Sequence, residues 1–455
     1  MNRVAGRSFI AMILVLALLG GMVFFLAEYV DKAREWVMFS GSPHVYANGK
    51  LSQGMVLDRN GALLLDLSGE QTYAPDPLIR KAMLHWTGDR AGNIARTIVG
   101  SHYRQMVSYD PVNGLYTYGD NTGRMTLTLS YEIQTAALKA LGDRRGTVAV
   151  YNYKTGEILC AVSTPTFDPE DVPDIAGDTT GAYQGAYYNR FTQSTYTPGS
   201  IFKIVTLGAV LESDPAAKDL TFSCDSEYEI GKGKVTCGSA HGRQTLKQAF
   251  LNSCNCAFAQ LVEKIGRENL QRYVSQFGVM ESVSFDGITT TAGNFDISNA
   301  YYENLAWSGI GQYTDLVNPC SFLRFVGAVA AGGAGVDPYV VSRVQTGDTV
   351  TYQAQPRRSE RIMSQLTADT IREYMRNNVK NKYGDENFAG FTACAKTGTA
   401  EVGSTQKPNA VFTGFLLEEE FPLAFIVVVE DAGYGQTVCV PIISQVLEAC
   451  KQELS

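Results

Sequence analysis

The chain opens with an uncharged, largely apolar run from Phe9 to about Leu26, closing near Val30 with Asp31, Lys32 and Arg34 behind it. About twenty apolar residues suffice to cross a bilayer as a helix. Arg3 and Arg7 precede the run, which predicts a cytoplasmic N-terminus with everything from Asp31 onward outside. A cleaved signal peptide has a shorter apolar core and a small-x-small cleavage site, and Ala27-Glu28-Tyr29 is a poor one. An uncleaved signal anchor is therefore expected.

Beyond the anchor the pattern becomes that of a mixed protein. Gly54 to Leu65 reads as a β-hairpin turned by Asn60-Gly61. His85 to Asn121 is polar and rich in Tyr and Gly, with Ile94 to Val99 its apolar patch. Met125 to Leu129 alternates as a strand does, and Ser130 is placed to cap a helix over Tyr131 to Leu141. Thr147 to Tyr151 and Glu157 to Val162 predict two strands around a turn at Tyr153 to Gly156. Helical patterns follow to about Gly278. Strands return at Thr392 to Ala400, Ala410 to Leu417 and Leu423 to Glu430, and a last helix is expected over Pro441 to Cys450. Two early strands, three late ones and helices between predict an α+β domain, a five-stranded antiparallel sheet with helices on its faces. The expected division is an N-terminal transmembrane helix with a short cytoplasmic leader over 1–30, a small pedestal over 31–140 and the main domain over 141–455.

Composition removes several classes of function. The chain has 455 residues, a net charge of −8 and 45% hydrophobic residues, without basic clusters, so nucleic acid is not an expected partner. His44, His85, His102 and His241 are widely spaced and form no metal-ligand pattern, so neither a His-based triad nor a metal site is expected, and no cofactor. Nine cysteines occur without CxxC spacing. Cys254-Asn255-Cys256 is too close for an ordinary disulfide, and Cys224 with Cys237 is the pair expected if the compartment is oxidising. The others read as small buried hydrophobes.

Candidate chemistry concentrates in three short motifs. In Tyr196-Thr-Pro198-Gly199-Ser200-Ile-Phe-Lys203, a Pro-Gly turn leads into a helix apolar on nearly every side, at Ile201, Phe202, Ile204, Val205 and Leu207. Ser200 stands at the helix start, where N–H groups favour negative charge. Lys203 follows one turn along the same face, and burial should lower its pKa to that of a usable base. Together they form a nucleophile–base pair. Ser253-Cys254-Asn255 lies between two apolar helices and offers a hydroxyl for proton relay and an amide for a peptide carbonyl. Lys396-Thr397-Gly398-Thr399 lies on a late strand, where Lys396 adds positive potential, Gly398 allows close backbone approach and Thr397 and Thr399 can hold a carboxylate. Taken singly, each also reads as ordinary structure: a helix cap, an inter-helix loop, a strand-end turn.

In this order, Ser-x-x-Lys, Ser-x-Asn and Lys-Thr-Gly form the signature of penicillin-binding enzymes. The chain resembles the class B penicillin-binding proteins, monofunctional peptidoglycan D,D-transpeptidases. Further segments carry the resemblance: Asp58-Arg59-Asn60-Gly61, Thr155-Gly156-Glu157, Ser163 to Pro169, Asn189-Arg190, Gly309 to Gln312 and Asn318-Pro319. It implies that Ser200 attacks the penultimate D-Ala carbonyl of a stem peptide with Lys203 as base. Ser253 would relay a proton with support from Lys396, and Asn255, Thr397, Gly398 and Thr399 would bind substrate. Ser200 and Thr399 N–H groups would form the oxyanion hole, and β-lactams would acylate Ser200. A multi-spanning membrane glycosyltransferase is the partner such an enzyme implies.

The sequence departs from the family's pattern at Asn409-Ala410-Val411-Phe412 and at Tyr434-Gly435 to Pro441, positions that bear on substrate fine specificity. The motifs are equally those of a D,D-carboxypeptidase, which differs only in its acceptor. A β-lactamase would need a deacylating Glu that is not identifiable, a β-lactam sensor would need a cytoplasmic signalling domain that the few residues before the anchor do not offer, and a dead scaffold fits poorly with the intact Ser200 and Lys203.

Overall fold

The computed structural model describes residues 2–37, 39, 42, 46–47, 50–51, 54–68, 71–107, 109–110, 114–115, 123–401 and 407–455; His44 and Asn121 lie outside the described residues. Its first element is a helix, Asn2–Val37, whose stretch Val4–Lys32 is long and apolar enough to cross a membrane, with none of its most apolar window buried among the described residues.

The main sheet has five strands, all neighbours antiparallel, in the spatial order Ile158–Thr164, Gly146–Asn152, Leu423–Val429, Asn409–Leu416 and Ala393–Ala400. The predicted strands are thus all present, and the Lys396 strand is an edge. The inner strands are largely apolar and almost wholly buried because both faces of the sheet are covered. Phe425, Val427 and Val429 enter one core with Ile443, Val446 and Leu447 of the C-terminal helix and Leu138 of the helix Tyr131–Leu141. Ala424, Ile426 and Val428 enter the other, with Val205, Leu207, Phe258 and Phe322 from the central helices. The period of two in a strand distributes alternate residues between these cores. Ser130 caps its helix as expected, accepting from the Ile133 N–H.

A second sheet runs Thr349–Gln353, Val341–Thr346, Gly123–Leu127, Met55–Leu57, Leu63–Asp66, Thr72–Tyr73. The hairpin expected at Asn60-Gly61 forms its core: Gly61 N–H donates to the Asp58 carbonyl, and the Asp58 carboxylate accepts from the N–H groups of Asn60 and Ala62. Two of its strands come from far along the chain. The 341–353 hairpin escapes a reading of the sequence, since its half-exposed residues carry little apolar alternation and a long-range pairing holds it. The final helix also starts earlier than the sequence predicts. It runs Gly435–Leu454, with Pro441 inside rather than at its first position. An added Cβ at Gly435 would lie 2.4 Å from the Gly398 carbonyl oxygen, so that glycine lets the helix start sit directly on the edge strand.

Candidate active site

Gly199–Phe202 is a 3-10 turn that continues into the helix Lys203–Ser213. Gly199 has a φ of +55°, and its N–H donates to the Gly311 carbonyl. A Cβ on Gly199 would meet the Thr399 carbonyl oxygen at 2.7 Å, and one on Gly311 would meet the Gly199 carbonyl oxygen at 2.2 Å. Glycines at these contacts press the Ser200 turn against the edge strand on one side and the Gly309–Gln312 turn on the other.

The side chains of the three motifs meet here. Lys203 is fully buried, and its Nζ lies 3.1 Å from Ser200 Oγ. It donates to the Ser253 carbonyl at 2.6 Å and to Asn255 Oδ1 at 2.7 Å, and lies 3.3 Å from Ser253 Oγ. Burial pushes the Lys203 pKa down to about 7. A neutral amine has two N–H bonds and one lone pair. With both N–H groups committed to the Ser253 carbonyl and Asn255, the lone pair is free to take the Ser200 hydroxyl proton. Lys396, also fully buried, donates to Ser253 Oγ at 2.9 Å and to the Thr397 carbonyl at 3.0 Å. Burial, then the proximity of Lys203, pushes its pKa well down. Aromatic faces back both amines, Phe258 at 5.5 Å from Lys203 and Phe250 at 5.7 Å from Lys396.

Ser253 carries both lysines on one residue, and its backbone is held at a φ of +54°, in the left-handed region. It stands between the helices Leu246–Leu251 and Asn255–Phe277, the second of which is kinked at Gly266. The Asn255 amide donates to the Thr236 carbonyl at 2.9 Å, which fixes its orientation. Thr397 is held by a residue that sequence reasoning misses: Tyr383 Oη lies 3.0 Å from Thr397 Oγ1 and accepts from the Thr397 N–H at 3.1 Å. Tyr383 ends the helical segment Val379–Tyr383, and nothing in its local sequence points to the strand it supports. A cleft of about 600 Å³ opens over this network, lined by Ser200, Ser253, Asn255 and Thr399 with Trp307 and Tyr434.

All nine cysteines are free, so the Cys224–Cys237 disulfide expected from sequence is not formed. His241 is nevertheless brought beside thiols that lie far from it along the chain: the side-chain N and S atoms of Cys224, Cys237, His241 and Cys254 all lie within 4.8 Å of one another. Their spacing along the chain hides this, because strands, a loop and a helix start each supply them.

A buried lysine poised on a serine at a helix start, beside a sheet edge, defines a serine acyl-transfer site. Comparison with known proteins extends this. The family of penicillin binding protein transpeptidase domains matches residues 146–448. Stage V sporulation protein D of Bacillus subtilis is 30% identical over 356 residues, covering 72% of this chain and 54% of that protein. Peptidoglycan D,D-transpeptidase PbpA of Mycolicibacterium smegmatis is 28% identical over 340 residues, covering 68% of each. The chain thus spans about half the length of the first relative and about two thirds of the second. Penicillin-binding protein A of Mycobacterium tuberculosis, solved as its ceftriaxone acyl-enzyme, matches the fold with a TM-score of 0.75 at 22% identity, over 87% of this chain and 98% of that one. The chain belongs to the family of penicillin binding protein transpeptidase domains.

Proposed function

We propose that this protein is a membrane-anchored peptidoglycan D,D-transpeptidase that cross-links stem peptides through a Ser200 acyl-enzyme and is acylated by β-lactams at the same atom. The observation that carries this reading is Lys203 Nζ at 3.1 Å from Ser200 Oγ with its other contacts already made. Relatives named as D,D-transpeptidases and a fold neighbour solved as a β-lactam acyl-enzyme support it.

In the first half-reaction Ser200 Oγ bonds to the penultimate D-Ala carbonyl carbon while its proton moves to Lys203 Nζ. The oxygen charge that develops is met by the N–H groups of Ser200 and Thr399. As the bond to the terminal D-Ala nitrogen breaks, a proton passes to the leaving amine through Ser253, whose hydroxyl Lys396 holds. In the second, the amine of a neighbouring stem peptide attacks the ester and returns the proton to Ser200. Asn255, Thr397, Gly398 and Thr399 hold the peptide along the edge of the sheet.

The apolar helix at the N-terminus supports a signal anchor over 1–30, with the catalytic domain outside the membrane. The 31–140 segment then supplies most of the pedestal, whose sheet the 341–353 hairpin joins, and 141–455 apart from that hairpin is the transpeptidase domain. A separate multi-spanning glycosyltransferase supplies the glycan strands.

Labelling the purified protein with a fluorescent penicillin tests this reading. A covalent adduct that lasts many minutes and is lost in Ser200→Ala is the expected result. A rapidly vanishing adduct identifies a β-lactamase instead, and folded protein that forms no adduct overturns the assignment.

A further inference from the structure

Among the described residues that line the cleft, Glu401 alone carries a formal charge. It directly follows the edge strand Ala393–Ala400 and is exposed. Burial alternates along the end of that strand: Thr397 and Thr399 are half-buried, Gly398 and Ala400 are buried, and Glu401 continues the open face. Two residues advance a strand by about 6.8 Å, so Glu401 leaves the backbone that far beyond Thr399. Its side chain has no ion-pair or hydrogen-bond partner among the described residues. A carboxylate that reaches a substrate cleft without a partner of its own is free to meet a cation.

Which part of a donor peptide arrives there follows from the groups along the strand. The Lys396 amine, 3.0 Å from the Thr397 carbonyl, and the Thr397 hydroxyl lie at its inner end. The donor's terminal carboxylate belongs at those hydrogen-bond donors, and its scissile carbonyl at the N–H groups of Ser200 and Thr399. The residue upstream of the penultimate D-Ala then lies toward Glu401. An extended peptide advances about 3.4 Å per residue, which brings that upstream side chain within reach of the carboxylate. The reaction itself names the group this side chain carries. A stem acts as acceptor through a side-chain amine, and a donor stem not yet cross-linked there bears the same amine, protonated at neutral pH.

We propose that Glu401 forms a subsite for the side-chain ammonium of the donor stem, and so selects donors whose amine is still free. The inference rests on the transpeptidase reading above and deepens it. A stem already cross-linked through that amine presents a neutral amide and gains nothing from the carboxylate. Trp307 and the exposed Tyr434 line the same cleft, so the ammonium enters a mouth with aromatic walls. Glu401 stands two residues past the oxyanion N–H, and therefore sets which donor is acylated rather than how the bond breaks.

Two penicillins test it on the full-length chain in detergent. Ampicillin carries an amine on its acyl side chain, the part of a penicillin that stands where the upstream residue would, and N-acetylampicillin carries a neutral amide instead. Acylation rates for both are measured at pH of about 6.5, where an α-amino group is mostly protonated. The ratio of the two rates should favour the amine by about two- to fivefold at low ionic strength, as for a solvent-exposed ion pair. It should shrink in about 0.5 M salt. Glu401→Gln should abolish the preference, Glu401→Asp keep most of it and Glu401→Lys invert it. Acetylation also changes size, so the decisive quantity is the change of the ratio between parent and Glu401→Gln, a double-mutant cycle. The same ratio in both proteins leaves Glu401 a solvated charge and overturns the subsite, as does a ratio in the unaltered chain that ignores salt. Folded protein that forms no Ser200 adduct with either penicillin is a different failure, which removes the acyl-transfer reading and the subsite with it.

Discussion

Lys203 Nζ donates to the backbone carbonyl of Ser253 at 2.6 Å while lying 3.3 Å from the hydroxyl of the same residue. Lys396 approaches that hydroxyl from the other side at 2.9 Å. Two buried amines are thus organised around one serine that is not the nucleophile. Two full ammonium charges in this space would repel each other strongly, and burial disfavours both. The arrangement is one in which protons move readily between neighbours, as an acyl transfer requires.

The first expectation concerns pH. With the Lys203 pKa lowered to about 7 by burial, acylation by penicillin should rise with pH through that value as the amine loses its proton. Lysine in the unfolded chain keeps its proton to about 10.5. Between these values the unfolded chain binds more protons than the folded one, so this residue makes stability increase with pH from about 7 to about 10.5. Below about 7 the full penalty of burying the charge applies. Lys203→Met should therefore melt several degrees higher than the parent in mild acid, while its acylation rate falls by about a thousandfold. Stopped-flow acylation and thermal melts across pH check both, and a pH-independent acylation rate would remove Lys203 as the base.

Ser253→Ala deletes the hydroxyl shared by the two lysines. Acylation should fall about 10²- to 10³-fold, with melting temperature changed by no more than a few degrees. A variant that acylates at the parent rate would deny Ser253 any part in proton transfer.

Tyr383→Phe tests the support behind the edge strand. It strips the Thr397 N–H of its acceptor and Thr397 Oγ1 of its partner, at a cost of about 1–3 kcal/mol. The strand should loosen where substrate lies, so KM for a peptide substrate is expected to rise several-fold more than kcat falls. Equal losses in both would place the effect elsewhere.

At Gly311 the backbone has a φ of +87°, and any Cβ would strike the Gly199 carbonyl oxygen. Gly311→Ala should destabilise the fold by about 1–3 kcal/mol and displace the Ser200 turn, so that acylation drops in the protein that remains folded. A melting curve with a penicillin titration separates the two effects.

Much of the fold is legible in the amino-acid sequence. Three of the sheet strands, Gly146–Asn152, Ile158–Thr164 and Leu423–Val429, announce themselves as largely apolar runs because helices cover both faces, and Ser130 is followed by its helix as a local cap dictates. Ser200 and Lys203 are three residues apart on one helix start, so their meeting is decided by helical geometry alone. The juxtaposition of Ser253 and Asn255 with Lys203, and of Lys396 with Ser253, spans 50 to 143 residues of chain; only recognition of the ordered motifs could anticipate it.

Local chemistry is thus written along the chain: an apolar helix at the N-terminus, strand and helix runs, capped helices, and three motifs in order. Tertiary structure alone decided the rest. It brought the 341–353 hairpin to the 55–73 strands, seated Tyr383 behind Thr397, and gathered Cys224, Cys237, His241 and Cys254 where sequence spacing suggested at most a disulfide. The physical reason is the same in each case. Periodicity reports how a residue meets its own element, whereas these contacts depend on where separate elements pack, which is set by burying two cores around one sheet.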